Sequence, residues 1–343
     1  MNGYERISAA LRGEKPDRVP VMLHNFLHAA REAGFTMRQF RENPENIAQS
    51  FIRSVEKYGY DGIMIDVDTV TLAGALGVAI DFPELDPARS HNGLITNLSS
   101  DLGLIQQNIE NYRPLQIWLE SVRLLKEHFG DEIYIRGNCD QASFTLASLV
   151  RGTQNWLTDL FLESPDQLQQ LLEICTAASC RFISLMAQTG AHMVSNGDSA
   201  SGSDMISPDL YREFALPYQQ RIAAHAHGLG LPWILHICGN TEPILQDMIA
   251  TGADGLELDY KTDARLAHDL MKGQTVFVGN IDPSGVIALG SAALVRQKCN
   301  ELLSIFSDTP RFILNAGCAI PAETPEANIF AMMECVKNNT QNG

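Results

Sequence analysis

A histidine and two cysteines carry the clearest chemistry in this 343-residue sequence. His236 and Cys238 stand in Leu235-His236-Ile237-Cys238-Gly239-Asn240, and Cys318 stands in Leu314-Asn315-Ala316-Gly317-Cys318-Ala319. An imidazole and a thiolate separated by one residue can grip a single metal ion, and a thiolate from a distant segment can complete the grip. One nitrogen and two sulfurs suit Zn²⁺ and leave a fourth tetrahedral position. A structural zinc site fills all four positions with protein, whereas a catalytic one keeps a position for substrate. A thiol is the natural occupant of that position. The plain alternative is that free cysteines are small buried hydrophobes and that a His-x-Cys pair is short enough to recur by accident. Spacing alone leaves both open.

The elements that must position these residues decide more. Short β-rich runs alternate with helical stretches along the whole chain: Arg18–His24, Gly62–Asp66, Ile133–Asn138, His192–Asn196, Pro232–His236, Gly255–Asp259, Thr275–Gly279 and Arg311–Asn315. Several are continuous apolar runs, such as Val276-Phe277-Val278, which suits parallel strands covered on both faces. Eight such runs separated by helices predict one α/β domain over residues 1–343, a single (β/α)₈ TIM barrel. The active site of such a barrel lies at the C-terminal ends of its strands.

Reading those ends gives His24, Asp66, Asn138, Asn196 with Asp198, His236 with Cys238, Asp259, Asn280 with Asp282, and Asn315 with Cys318. Asn and Asp favour turns and caps in any case, through bonds to their own backbone. Turn chemistry does not explain His236, Cys238 and Cys318. The fifth and eighth strands open onto one mouth, so these three can converge across the 80 residues between the cysteines. They are the candidate metal ligands and, with Asp198, the candidate catalytic set. Asp198 is placed to be a fourth ligand, a partner of His236 or a substrate contact. His24, Asp66, Asn138, Asn196, Asp259 and Asn280 are the candidate substrate contacts. His28 joins His24 near the pocket, His192 is structural, and His225, His227 and His268 are solvated helical residues. Arg136, Arg151 and Lys261 serve equally well as anion contacts or as ordinary surface charges.

Helix starts are legible. Asn43-Pro44-Glu45, Ser164-Pro165-Asp166, Ser207-Pro208-Asp209 and Thr324-Pro325-Glu326 each offer a capping side chain, a proline and an acid in the first turn. The stripe Tyr211, Phe214, Ala215, Tyr218 and Ile222 has helical spacing and belongs to the core. Phe82–Asp101, with Pro83, Pro87 and Gly93, reads as a long loop.

Composition excludes several classes. Hydrophobic residues make up 45% and charged residues 19%, enough for a sizeable core. The formal charge of −16 argues against nucleic acid and anionic membrane as partners. No apolar run is expected to reach bilayer length, and the start Met1-Asn2-Gly3-Tyr4-Glu5-Arg6 lacks a signal pattern, so a cytoplasmic enzyme is the expectation. Seven irregularly spaced cysteines predict no disulfide framework.

The chain resembles the uroporphyrinogen decarboxylase superfamily over nearly its full length. The resemblance rests on Leu11-Arg12-Gly13-Glu14-Lys15-Pro16-Asp17-Arg18-Val19-Pro20, Ala75-Leu76-Gly77-Val78, Ser207-Pro208, Gly279-Asn280-Ile281-Asp282-Pro283 and the Cys318 segment running into Thr324-Pro325-Glu326-Ala327-Asn328. The porphyrinogen decarboxylases of that family carry an N-terminal Arg-Gln-Ala-Gly-Arg core for substrate carboxylates. Here the stretch reads His24-Asn25-Phe26-Leu27-His28-Ala29-Ala30-Arg31, and the pattern is missing. His-x-Cys with a distant Cys is similar to the zinc-dependent methyltransferase branch instead, which includes the methylcobalamin:coenzyme M methyltransferases. The resemblance therefore implies Zn²⁺ on His236, Cys238 and Cys318. It also implies a small thiol or a methylated or methoxylated substrate, and a corrinoid (cobalamin) supplied by a partner protein. The sequence holds no Asp-x-His-x-x-Gly segment that could ligate cobalt from below. Three alternatives stay open: a metal-free decarboxylase or lyase of the same superfamily, a corrinoid-independent zinc-thiolate alkyl transferase, and a barrel that keeps zinc without catalysis. A homodimer is a further expectation to which no residue is assigned.

Overall fold

The computed structural model describes residues 1–339. Eight parallel strands are ordered as in the sequence: β1 Met22–Leu23, β2 Gly62–Ile65, β3 Tyr134–Gln141, β4 Met193–Gly197, β5 Trp233–Ile237, β6 Gly255–Leu258, β7 Val276–Ile281 and β8 Phe312–Ala316. A single bridge, Val21 to Leu314, joins the first strand region to the last, so the barrel is nearly closed. Each strand falls within a residue or two of its expected place except β1 and β3, which runs three residues past its expected end at Asn138. Strand β1 shrinks to two residues, because Pro20 has no N–H to give a neighbouring strand. In β3 the pairing with β4 slips between Asn138 and Gln141.

The inner face of the barrel is layered. At its N-terminal end Met22, Met64, Tyr134, Met193, Ile234, Val276, Val278 and Ile313 form an apolar plug, sealed by Ile7 and Ala10 of helix α1 (Gly3–Arg12). One step further along the strands the inward residues turn polar: His24, Asp66, Arg136, Asn138, Ser195, His236, Glu257 and Asn315, all buried. Because successive strand residues alternate faces, the switch from plug to polar layer takes only two positions, as in Met22 to His24 or Ile234 to His236. The main core, between strands and outer helices, is built on Trp118, Trp156, Trp233, Phe182 and their neighbours.

Helix starts follow the sequence with one correction. Asn43 accepts from Glu45 N, Ser207 accepts from Leu210 N, and Ser164 N and Oγ both donate to Gln167 Oε1. Thr324 instead gives its hydroxyl to Pro321 O, and the helix begins at Glu326. The stretch Phe82–Asp101 is irregular apart from Arg89–Ser90, which pairs with Ile80–Asp81. The expectation that no run is long enough for a bilayer needs amending. By length and apolarity Pro165–Ala187 qualifies, but it packs on the barrel through Leu168, Leu172, Phe182, Met186 and other buried residues.

Candidate metal centre

His236 is the last inward residue of β5, and Cys238 lies on the turn that follows. That turn is pinned on two sides: Ser199 Oγ accepts from Cys238 N at 3.3 Å, and Asp259 Oδ2 accepts from Gly239 N at 2.9 Å. Gly239 has φ +88°, a left-handed conformation that favours glycine, and a Cβ there would also displace the Asp204 carboxylate. On the other side, Gly317 brings the segment after β8 so close to the loop after β6 that a Cβ would lie 2.5 Å from Tyr260 N. That approach delivers Cys318.

The result is a compact triad. His236 Nε2 lies 3.1 Å from Cys238 Sγ, and Cys238 Sγ lies 3.8 Å from Cys318 Sγ. All three ligand atoms fall within 4.8 Å of one another. His236 is 7% exposed, and both cysteines are half-buried. Nδ1 of His236 is 2.9 Å from the carbonyl oxygen of Glu257. A carbonyl only accepts, so Nδ1 carries a hydrogen and Nε2 is the nitrogen that faces the sulfurs, the one a metal would take once its proton is displaced.

The donor set fits zinc. Two sulfurs at about 2.3 Å from one tetrahedral ion stand about 3.8 Å apart, which is the separation found between Cys238 and Cys318. Left to themselves the three groups share protons unevenly. The Cys318 hydrogen bond, helped by the neighbouring imidazole, pulls the Cys238 thiol well below its usual range against the burial penalty, and the same bond pushes Cys318 up. Burial opposes charge on His236, but Cys238 and Glu257 raise it to about 10.

The structure brings some candidate residues to this centre and not others. His24, Asp66 and Asn138 form one wall. His24 Nε2 meets Asp66 Oδ2 at 2.9 Å, Asn138 Nδ2 donates to Asp66 Oδ1 at 3.0 Å, and Ser195 Oγ donates to Asn138 Oδ1 at 3.1 Å. The His24 ring stands edge-on to His236 with centres 6.3 Å apart. Burial works against charge on His24, but Asp66 and Glu257 overcome it and raise the group to about 9. Asp259 holds the Cys238 turn and accepts from Lys261 N as well.

Asp198 is not brought in. Its carboxylate is wholly buried and accepts from Thr145 N and Gln219 Nε2, both at 2.7 Å, between β4 and the helices. Alternation explains this, since Ser195 faces inward and residues 196 and 198 therefore face out. Asn196 likewise bonds Cys139 O and Trp233 Nε1 outside the barrel. Asn280 donates to Asp259 O and Thr262 O and so braces the loop after β6. His28 is buried against Thr324 O. His192 is structural as expected, held by Lys126 and Asp131. His268 is not simply solvated: it is paired with Asp269 and Asp308.

Two interior charges complete the layer: Glu257, which the sequence reading did not name, and Arg136, which it left as an anion contact or a surface charge. Arg136 and Glu257 are both 0% exposed and meet at 2.5 Å beneath the triad. Burial opposes the Glu257 charge, yet Arg136 and His24 hold its carboxyl well below the ordinary range. The signal was present: an acid between leucines in Leu256-Glu257-Leu258 points inward if its neighbours point out. Arg136, which could equally have been a surface charge, is not one. Gln141, 7% exposed at the end of β3, is a further polar group missed at the mouth.

Comparison with known proteins gives this geometry its setting. The uroporphyrinogen decarboxylase (URO-D) family matches residues 2–339. The sequence is 26% identical over 337 residues to a methylcobamide:CoM methyltransferase of Methanosarcina acetivorans, covering 97% of each chain. It is 28% identical over 354 residues to the uroporphyrinogen decarboxylase of Thermus thermophilus, covering 96% of this chain and 97% of that one. Among solved structures, a methyltransferase from Methanosarcina mazei superposes with a TM-score of 0.90 at 23% identity over 99% of both chains, a likeness of fold. The chain is a (β/α)₈ barrel and belongs to the uroporphyrinogen decarboxylase family.

Proposed function

We propose that this protein is a zinc-dependent methyltransferase. It moves a methyl group between a corrinoid carried by a separate protein and a small thiol or a methylated or methoxylated substrate. The observation that carries the reading is the triad: His236 Nε2, Cys238 Sγ and Cys318 Sγ within 4.8 Å, with Nδ1 engaged by a carbonyl. Percentage identity alone does not separate the branches, at 26% and 28%, but the methyltransferase relatives are the stronger matches. The donor set does: three ligands and an open position are what a thiol-activating zinc site requires.

A zinc ion held there supplies Lewis acidity, letting a substrate thiol lose its proton at neutral pH or polarising the leaving atom of a methyl donor. The chain's own residues do the rest. Two thiolates balance the dipositive charge, so a sulfur joining them keeps its electron density. Glu257 O fixes the His236 ring, while Asp259 and Ser199 hold the Cys238 turn. Phe26, stacked 5.8 Å from His24, gives the His24 wall an apolar backing. A cytoplasmic location and a homodimer belong to this proposal on the sequence reading alone.

The test is elemental analysis of the purified protein and of Cys238→Ala, followed by turnover assays with methylcobalamin and thiols. About one zinc per chain, lost in the variant together with methyl transfer, supports the proposal. A Cys238→Ala protein that keeps its activity points to the metal-free decarboxylase reading. Zinc-dependent turnover without any cobalamin points to the corrinoid-independent alkyl transferase.

A further inference from the structure

We infer that Glu257, held by Arg136, is the positioning residue of the metal centre, tying both metal-bearing segments to one interior point. The inference rests on the metal reading above. Glu257 acts in two ways. Its backbone carbonyl takes the Nδ1 hydrogen of His236 at 2.9 Å and so sets which nitrogen faces the sulfurs. Its carboxylate reaches three other strands. Oε2 meets Arg136 of β3 at 2.5 Å, Oε1 meets His24 Nδ1 beyond β1 at 3.3 Å, and Oε1 accepts from Asn315 Nδ2 of β8 at 3.4 Å. Asn315 lies three residues before Cys318, and its Oδ1 accepts from Ala316 N and from His24 N across the barrel seam.

The chemistry explains why a charged pair is used. Arg136 and Glu257 are both fully buried, and among the described residues no group accepts a hydrogen bond from Arg136, so the ion pair with Glu257 is what compensates its charge. Neither can turn away without leaving a charge uncompensated in the interior. The carboxylate is therefore locked in place, and with it the backbone that orients His236 and the amide that leads to Cys318. Partners behind metal ligands orient them and raise their affinity. In this chain one residue does so for the segments carrying His236 and Cys318.

The experiment measures zinc affinity by competition with a chromophoric chelator, and the absorption spectrum after Co²⁺ replacement. Glu257→Gln alone strands a buried arginine and tests folding more than positioning. The informative variant is Arg136→Met with Glu257→Leu, which removes the pair together and leaves neither charge without its partner. The inference expects this protein to fold, to bind zinc about 10–100-fold more weakly, and to show shifted Co²⁺ d–d bands. Asn315→Ser, a milder change, is expected to weaken zinc in the same direction, and it decides the matter if the double variant loses its native circular dichroism. Variants with native affinity and a native cobalt spectrum overturn the inference and leave the pair as barrel packing. A wild-type protein that takes up no zinc overturns the metal reading itself.

Discussion

His24 links the site to the stability of the whole barrel, and the link has a sign. Its imidazole sits between Asp66 and Glu257, at 2.9 and 3.3 Å, and these acids raise it to about 9 against the opposing effect of burial. An unfolded histidine titrates near 6.5. Because the folded value is the higher one, the stabilisation is fully present below pH 6.5 or so and is lost as pH rises through about 9. The gap between those values, at about 1.4 kcal/mol per pH unit, corresponds to about 3.5 kcal/mol at most, of which about 3 falls between pH 6 and 9.5. His24→Gln removes the titrating group and keeps a polar side chain. Urea unfolding of wild type and variant, each at a series of pH values from 6 to 9.5, gives the difference in stability directly. That difference should be largest at low pH and shrink by about 3 kcal/mol across the window. A difference that stays flat from pH 6 to 9.5 refutes the paired imidazolium and the network built on it.

Three further outcomes follow from the geometry. Asp198→Asn should destabilise the protein by about 1–3 kcal/mol, through bonds lost to Thr145 and Gln219, while zinc content by elemental analysis stays at the wild-type level. Loss of metal in that variant would return Asp198 to the site. Gly317→Ala places a Cβ 2.5 Å from Tyr260 N, which should displace the Cys318 segment and weaken zinc in a chelator competition; native affinity would show that the loop gives way freely. Met64→Ala opens a cavity in the apolar plug and should cost about 2–5 kcal/mol in chemical unfolding, with the Co²⁺ spectrum unchanged. A shifted spectrum would mean that plug and polar layer are not independent.

Much of the fold could be read because parallel strands buried on both faces leave continuous apolar runs, and all eight were recognised, six of them within a residue or two of their ends. The triad was readable because His236, Cys238 and Cys318 have no other local purpose at strand ends. What escaped detection was direction. Asp198 and Asn196 stand beside a strand end yet face the helix layer, and only the inward alternation of Ser195 assigns them. Glu257 and Arg136 hide inside strands, where a charge has no local signature and acquires meaning from a partner on another strand. Asn280 shows a related ambiguity: a polar side chain near the mouth can serve a neighbouring loop, as its Nδ2 does, as readily as a ligand.

The seam between β1 and β8 gives the metal site a place in the folding of the chain. The segment carrying His236 and Cys238 is synthesised well before the strand that leads to Cys318, and that last strand must dock against both β7 and the β1 region to complete the cylinder. A zinc ion bound by all three residues would bind the closed cylinder in preference to one whose last strand is undocked. Free zinc would then stabilise closure by RT ln(1 + [Zn]/Kd), and the protein would stay open at the seam longest where zinc is scarce. Metal supply would thus act on how the chain assembles as well as on what it catalyses.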